Sequence, residues 1–305
     1  MINRRYAHGW VDDNEASTSS GRGEPALTRA PHGDQKPAVQ RLRIRFAKRG
    51  RLRFTSHRDF QRAFERALRR ADVPIAYSQG FSPHPRVSYV GAAPTGAASE
   101  AEYLEIAVTS RCDPAVMAHA LDAALPPGLD ILDVVEARAG SLADRVTASE
   151  WEIRLPTTAP GAVSTAVRAF LEASSVEVER PTKAGVKTLD ARRLVVRLAV
   201  VGEYSDPPCA ILKVVLRHGT PTVRPDDVLA GLRRVADLAP LQSSLATRLA
   251  QGPLDDQAGT VGDPLEPDRE AARPGPASAV DSTKPADAQR GGRRRQQASP
   301  PHPTG

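Results

Sequence analysis

The residues with the most chemical potential sit in one loop, Tyr77-Ser78-Gln79-Gly80-Phe81-Ser82-Pro83-His84-Pro85-Arg86. Pro83 and Pro85 fix their own φ and leave little freedom to the residues between and beside them, so His84 and Arg86 are held in set directions. Such stiffness suits side chains that must meet a ligand. His57, at the entrance of a basic segment, is the second candidate. A pair of histidines can cleave RNA without metal, one assisting the 2′-hydroxyl and the other the leaving oxygen. Nothing in the spacing brings His57 and His84 together, so catalysis by either is the alternative reading and a non-catalytic binding role the first. No His-x-x-x-His pattern or acidic cluster lies near the histidines, and there is no P-loop, Gly-x-Gly-x-x-Gly or nucleophile elbow. No metal and no cofactor are expected.

Charge is the stronger signal. Residues 41–70 hold twelve basic residues against Asp59 and Glu65, a local +10 inside a chain whose total is +6. Strand alternation puts Arg41, Arg43 and Arg45 on one sheet face, with Arg51 and Arg53 continuing the pattern after a turn at Gly50. Arg58, Arg62 and Arg66 step by four and make one stripe along a helix. Like charges at that spacing cost a few tenths of a kcal/mol each, a cost offset when an anion neutralises the stripe. Together with Arg86, and with Lys183, Lys187 and Arg192 further on, these residues read as a phosphate-backbone footprint. Tyr77, Phe81 and Tyr89 follow the basic helix and could stack on unpaired bases. RNA is therefore the expected partner.

The elements that must position these residues follow from the apolar periods. Leu42, Ile44 and Phe46 alternate with the arginines and predict a strand. Ser56 three before Asp59 is a capping-box pattern, and Phe60, Ala63, Phe64, Ala67, Leu68 and Ala71 form one apolar helix face ending before Pro74. Strands are expected at 87–90, at 103–109 (with Glu100, Glu102 and Glu105 along a solvated edge) and at 129–135. A helix opens at Asp113-Pro114. The order βαββαβ is that of a ferredoxin-like sandwich. A similar series recurs from Trp151 to Val235. The expected fold is α+β: tandem ferredoxin-like units over 39–140 and 141–250, between disordered tails at 1–38 and 251–305. The tails are rich in Pro, Gly and polar residues. No apolar run approaches the ~20 residues of a membrane helix, so no membrane is expected. The polar start from Met1 to Trp10 lacks a signal core, and the only cysteines, Cys112 and Cys209, are far apart in sequence. Both features lead to the expectation of a reduced, cytoplasmic setting.

The strings Arg51-Leu52-Arg53-Phe54-Thr55-Ser56-His57-Arg58-Asp59, Phe64-Glu65-Arg66-Ala67-Leu68-Arg69-Arg70-Ala71 and Gly80-Phe81-Ser82-Pro83-His84-Pro85-Arg86 resemble the radical-SAM-associated (radical-SAM-linked) bacterial family of unknown function. The likeness extends through Ser99-Glu100-Ala101-Glu102-Tyr103 and the segment Gly185 to Arg192, covering about 40–250. Members are fused to a radical SAM enzyme or stand alone. This chain has neither the radical SAM domain nor its cysteine triad, so it resembles the stand-alone form. The resemblance implies an accessory or substrate-recognition role, with a radical SAM enzyme as a possible partner. The expected architecture is also similar to that of the CRISPR repeat-processing endoribonucleases, although Ala236 to Gln251 lacks their glycine-rich loop.

The reading is thus an RNA-binding or substrate-presenting accessory module for an RNA-modifying partner. One alternative is a metal-independent endoribonuclease using His57 or His84. Another is a protein–protein adaptor whose arginines meet an acidic surface.

Overall fold

A computed structural model of the protein describes residues 36–273, apart from 80, 139, 183–184, 206–207, 237 and 239–243. The expected tails over 1–35 and 274–305, and Lys183, lie outside the described residues.

β1 (Gln40–Lys48) alternates as its sequence requires, with Leu42, Ile44 and Phe46 buried under α1 (His57–Arg70) and α2 (Pro114–Ala124). Ser56 caps α1, its Oγ accepting the Asp59 N–H at 3.2 Å. This satisfies one of the first-turn donors, and Asp59 complements the positive end of the helix. Phe60, Phe64, Ala67 and Leu68 supply the buried face of α1. Phe64 is fully buried, which stabilises by about 1.5–3 kcal/mol. Asp113 caps α2 by accepting from the N–H groups of Ala115 and Val116 at 2.8 and 3.1 Å. The first series is completed by β2 (Val87–Val90), β3 (Ala98–Val108) and β4 (Ile131–Glu136).

The second series is β5 (Ala148–Pro156), α3 (Pro160–Glu172), the hairpin β6 (Glu177–Thr182) and β7 (Gly185–Asp190), β8 (Val195–Ser205), β9 (Pro208–Arg217), α4 (Pro225–Ala236) and β10 (Leu245–Gly252). Its core joins Trp151, Ile153 and Leu155 of β5 to Phe170 of α3 and to Val228 and Leu232 of α4.

The two series share one eight-stranded sheet of order β4-β1-β3-β10-β5-β9-β8, with β2 also pairing β3. Pairing within each series is antiparallel, with registers such as Leu42↔Ile106 and Ile153↔Leu212. The seam is parallel, β10 meeting β3 at Thr247↔Ala98 and Arg248↔Ser99. The protein is therefore a mixed α/β structure with a large mixed sheet. No helix among the described residues is long and apolar enough to cross a membrane.

The tail expected from 251 onward needs correction over its first part. After β10 the chain forms β11 (Leu254–Asp255), β12 (Thr260–Val261) and α5 (Glu266–Ala272). This strap lies on the sheet face opposite α1 and α2. Leu265 is fully buried with Ala101, Tyr103 and Leu142. Asp268 is buried as well and receives Arg43 at 2.6 Å and Arg145 at 2.8 Å. One leucine and one aspartate anchor the segment, too few apolar residues to give a periodic signal in the sequence.

Candidate functional site

Helical geometry gathers the exposed arginines of α1. At about 100° per residue, Arg58, Arg62, Arg66 and Arg69 fall within roughly 80° of arc, on the side away from Phe60, Phe64 and Ala67. All four are exposed. No ion pair reaches them, or Arg51, Arg53 and Arg86, among the described residues. Arg53 lies over the exposed ring of Phe54, 4.5 Å from its centroid. Arg70 is turned aside and donates to the Ala124 carbonyl at 2.8 Å. The stripe spans about 16 Å at 1.5 Å per residue.

The strand arginines fare differently, and here the sequence expectation is corrected. Arg43 is only 2% exposed. Its Nε donates to Glu105 at 2.9 Å and its Nη1 to Asp268 at 2.6 Å. Arg45 is half-buried and donates to the Glu100 carbonyl at 2.8 Å. Arg49 is bound by Glu100 and Asp130, which hold its guanidinium well above the ordinary arginine range. The strap and the acidic residues of β3 thus neutralise the back of the sheet. Arg41 stays exposed, with a 3.4 Å contact to Glu105.

Three hydrogen bonds tie described residues of the Tyr77–Arg86 loop. Ser78 N–H donates to the His84 carbonyl at 2.8 Å, His84 N–H donates to Ser78 Oγ at 3.0 Å, and Arg86 N–H donates to the Ala76 carbonyl at 2.8 Å. Tyr77 and Pro85 line a cavity of about 170 Å³ together with Glu65 and Arg69, at the C-terminal end of α1. His84 and Phe81 are exposed on this loop. His57 stands at the opposite end of α1, where its ring meets Tyr89 edge-on at 4.9 Å and its Nε2 lies 3.2 Å from the Gln61 amide. The length of α1 between Arg69 and His57 is about 18 Å. No hydrogen bond or ring contact joins His57 to His84 among the described residues. Lys187 is exposed on β7. Arg192 turns inward, donating to the Val195 carbonyl at 3.0 Å. No ion pair or hydrogen bond links either of them to the first-half arginines among the described residues.

The loop also meets the free end of β1. Arg41, Gln79, Arg86, Glu136 and Arg138 line one polar groove of about 640 Å³. Arg41 and Arg86, far apart in sequence, are brought together there. Arg138 enters the group from beyond β4, paired to Glu136 at 2.8 Å.

Sequence reasoning missed a buried polar network at the seam between β3 and β10. Glu102, read as solvated, is 5% exposed and bound to Arg248, itself 3% exposed. Arg248 also donates to Ser99 Oγ at 3.2 Å, to the Gly91 carbonyl at 2.6 Å and to Gln251 Oε1 at 2.8 Å. Lys48 lies nearby, 5% exposed, with only long contacts of 3.4 and 3.5 Å to the carbonyls of Ala93 and Pro94. Burial pushes its amine below the ordinary lysine value, with Glu102 opposing. Burial also raises the Tyr103 hydroxyl to about 12. On the other side of the Gly91–Pro94 loop, Ser149, Trp151, His218, Arg224 and Arg248 line a cavity of about 370 Å³. His218 Nδ1 faces the Val146 carbonyl at 3.0 Å, so this nitrogen carries the proton and Nε2 accepts from Ser149 Oγ at 3.2 Å. Burial holds His218 below its ordinary value. Both faces of β3 are covered, by helices on one and by the strap and seam on the other. Alternation therefore could not reveal that Glu102 is inside.

A family model described as an uncharacterized protein conserved in bacteria (DUF2344) matches residues 41–225. The match takes in the α1 stripe, the Tyr77–Arg86 loop and Glu102, and stops before Arg248 and the strap. No curated protein matches the chain.

Proposed function

The chain belongs to this family of uncharacterised bacterial proteins, and from that premise we propose that it is a cytoplasmic RNA-binding module that presents RNA to a modifying partner. The observation that carries the reading is the contrast within the basic segment. Arg43 is held by Glu105 and Asp268 and Arg45 by the Glu100 carbonyl, whereas Arg58, Arg62, Arg66 and Arg69 stand exposed on one helix face, without ion pairs among the described residues. Four unpaired guanidinium groups along about 16 Å suit a row of phosphates better than they suit solvent. The resemblance in the Ser56-His57-Arg58-Asp59 and Gly80 to Arg86 strings supports a radical SAM enzyme as that partner. For the fold, we read the sheet as two ferredoxin-like halves. In support, β4-β1-β3-β2 and β10-β5-β9-β8 each put their first and third strands side by side at the centre, as in a split βαβ unit.

The test is equilibrium binding of a structured RNA. Four neutralised phosphates give a slope of about −3 in log affinity against log salt, so raising salt from about 50 to about 150 mM weakens binding roughly 30-fold. Reversing Arg58, Arg62 and Arg66 to Glu abolishes binding at the higher salt. Undiminished binding by that variant sinks the assignment. Co-purification of a protein partner after nuclease treatment, with no RNA bound, would instead support the adaptor reading. Cleavage in EDTA that is lost in His57→Ala or His84→Ala would support the nuclease reading.

A further inference from the structure

We propose that the cavity at the seam between β3, β10 and β5 binds a small phosphate ester, with its phosphate on Arg224 and Arg248 and its organic part against Trp151. The proposal stands apart from the RNA reading, because this cavity and the α1 stripe share no residue.

Long-range pairing builds the cavity. β10 lies between β3 and β5, which sets Arg248 opposite Ser99 on one side and opposite Trp151 on the other. Ser149, Trp151, Arg248 and Gln251 are buried and form its floor. Gly91, Ala92 and Pro94 wall one side, and Thr222 to Pro225 wall the other. At about 370 Å³ it has the size of a small-ligand site.

The charge of the lining has one sign. Arg224 and Arg248 line the cavity, and no Asp or Glu does. Arg224 is exposed, and its guanidinium has no ion pair or hydrogen bond among the described residues, its backbone N–H alone being engaged. Arg248 carries five N–H groups, and these meet four acceptors: Ser99 Oγ, the Gly91 carbonyl, Gln251 Oε1 and Glu102. One Nη2 N–H of an almost wholly buried side chain is thus without an acceptor among the described residues. Lys48 lies behind the Gly91–Pro94 wall, in long contact with the Ala93 and Pro94 carbonyls. Among the buried carboxylates described, Asp268 serves Arg43 and Asp227 serves Arg180, which leaves Glu102 alone for both Lys48 and Arg248. Buried cations in excess are costly, and an anion in the cavity relieves that cost. A phosphate monoester carries nearly two charges at neutral pH where a carboxylate carries one, and arginine forks match phosphate oxygens in pairs.

The walls are held ready. Arg180 pairs with Asp227 and donates to the Thr222 carbonyl at 2.8 Å, and the Arg224 N–H donates to Asp227 Oδ2 at 2.7 Å. Thr222 Oγ1 donates to the Gly219 carbonyl at 3.1 Å. On the floor, Trp151 Nε1 donates to Ser149 Oγ at 2.9 Å, and the Arg248 guanidinium lies over the indole, 5.5 Å from its centroid. Such bracing lowers the ordering cost of binding. His218 spends both ring nitrogens on Val146 and Ser149, so the phosphate falls to the two arginines.

The probe that tests this is ribose 5-phosphate, read by tryptophan fluorescence in the full-length Trp10→Phe protein. The chain has two tryptophans, so Trp151 is then the sole reporter. Titration at fixed ionic strength should shift its emission saturably, with half-saturation at or below about 1 mM. Ribose itself should leave the emission unchanged. Arg224→Gln, altered at an exposed side chain, should bind at least about tenfold more weakly, the scale of one charge-assisted hydrogen bond, while unfolding at the wild-type temperature. No saturable shift in wild type, an equal response to ribose, or undiminished binding by Arg224→Gln overturns the proposal. The Arg58→Glu/Arg62→Glu/Arg66→Glu variant should bind ribose 5-phosphate as wild type does, whatever becomes of its RNA binding. Weakened binding in that variant would put the phosphate on α1 and overturn the site. In the same variant, a short 5′-phosphorylated RNA that binds more tightly than ribose 5-phosphate would assign the cavity to an RNA end and overturn the small-molecule reading.

Discussion

Replacing Asp268 by Asn tests whether the strap beyond β10 is part of the fold. The Asp268 side chain is fully buried. It accepts from Arg43 Nη1 at 2.6 Å, from Arg145 Nη1 at 2.8 Å and from the Arg138 N–H at 2.9 Å. Asn is nearly isosteric, so packing around Leu265 is preserved and the change is one of charge. Arg43 keeps Glu105 at 2.9 Å, and Arg43 and Arg145 both lose the Asp268 charge. Removing one partner from a buried ion pair costs about 3–5 kcal/mol, because the charge facing it loses that compensation. For a folded region of this size, each kcal/mol lowers Tm by about 2–4 °C, so a drop of roughly 6–20 °C is expected. Urea unfolding should show a lower midpoint with an unchanged slope, since the surface exposed on unfolding is the same. Glu270→Gln is the control, an exposed residue of the same helix expected within about 0.5 kcal/mol of wild type. An Asp268→Asn protein as stable as that control would refute the claim that the strap neutralises the back of the sheet. The RNA binding proposed for the α1 stripe should be unaffected in either variant.

Two further outcomes follow from the seam. His218 is held below its ordinary value of 6.5 chiefly by burial, with Arg248 adding to the effect and the Val146 carbonyl opposing it. The unfolded chain therefore binds the extra proton more readily. The contribution of His218 to stability is complete above pH 6.5 and is lost as pH falls through its lower folded value. Denaturation midpoints between pH 5 and pH 7.5 should fall more steeply toward acid in wild type than in His218→Gln, and equal slopes would refute the assignment. Gly91 has φ +56°, and a Cβ there would stand 2.3 Å from Gln251 Oε1, whereas Gly50 has φ +55° and open space around it. Gly50→Ala should cost about 1 kcal/mol of strain alone. Gly91→Ala should cost clearly more by equilibrium unfolding, and equal losses would show that Gln251 yields freely.

The local elements were legible because each depends on near neighbours in sequence. Ser56 and Asp59 announced the start of α1, Asp113-Pro114 that of α2, and the spacing of Phe60, Phe64 and Leu68 the face that α1 buries. The same periodicity placed Arg58, Arg62 and Arg66 on the outside, since a helix stripe is set by 3.6 residues per turn whatever surrounds it.

What the sequence could not decide is which charges remain available. Arg43 and Arg62 look alike in a charge count, but Arg43 is silenced by Asp268, 225 residues away, and Arg62 is met by no carboxylate among the described residues. Glu102 belongs to Arg248 only because β10 returns to pair with β3, and Arg41 and Arg86 line one groove only because the sheet brings the start of β1 and the end of the loop to the same place. Helix faces and caps are short-range consequences of backbone geometry and can be read along the chain. Neutralisation, burial on both faces of a strand, and the shape of a groove are long-range, and only the assembled sheet brings their partners within reach.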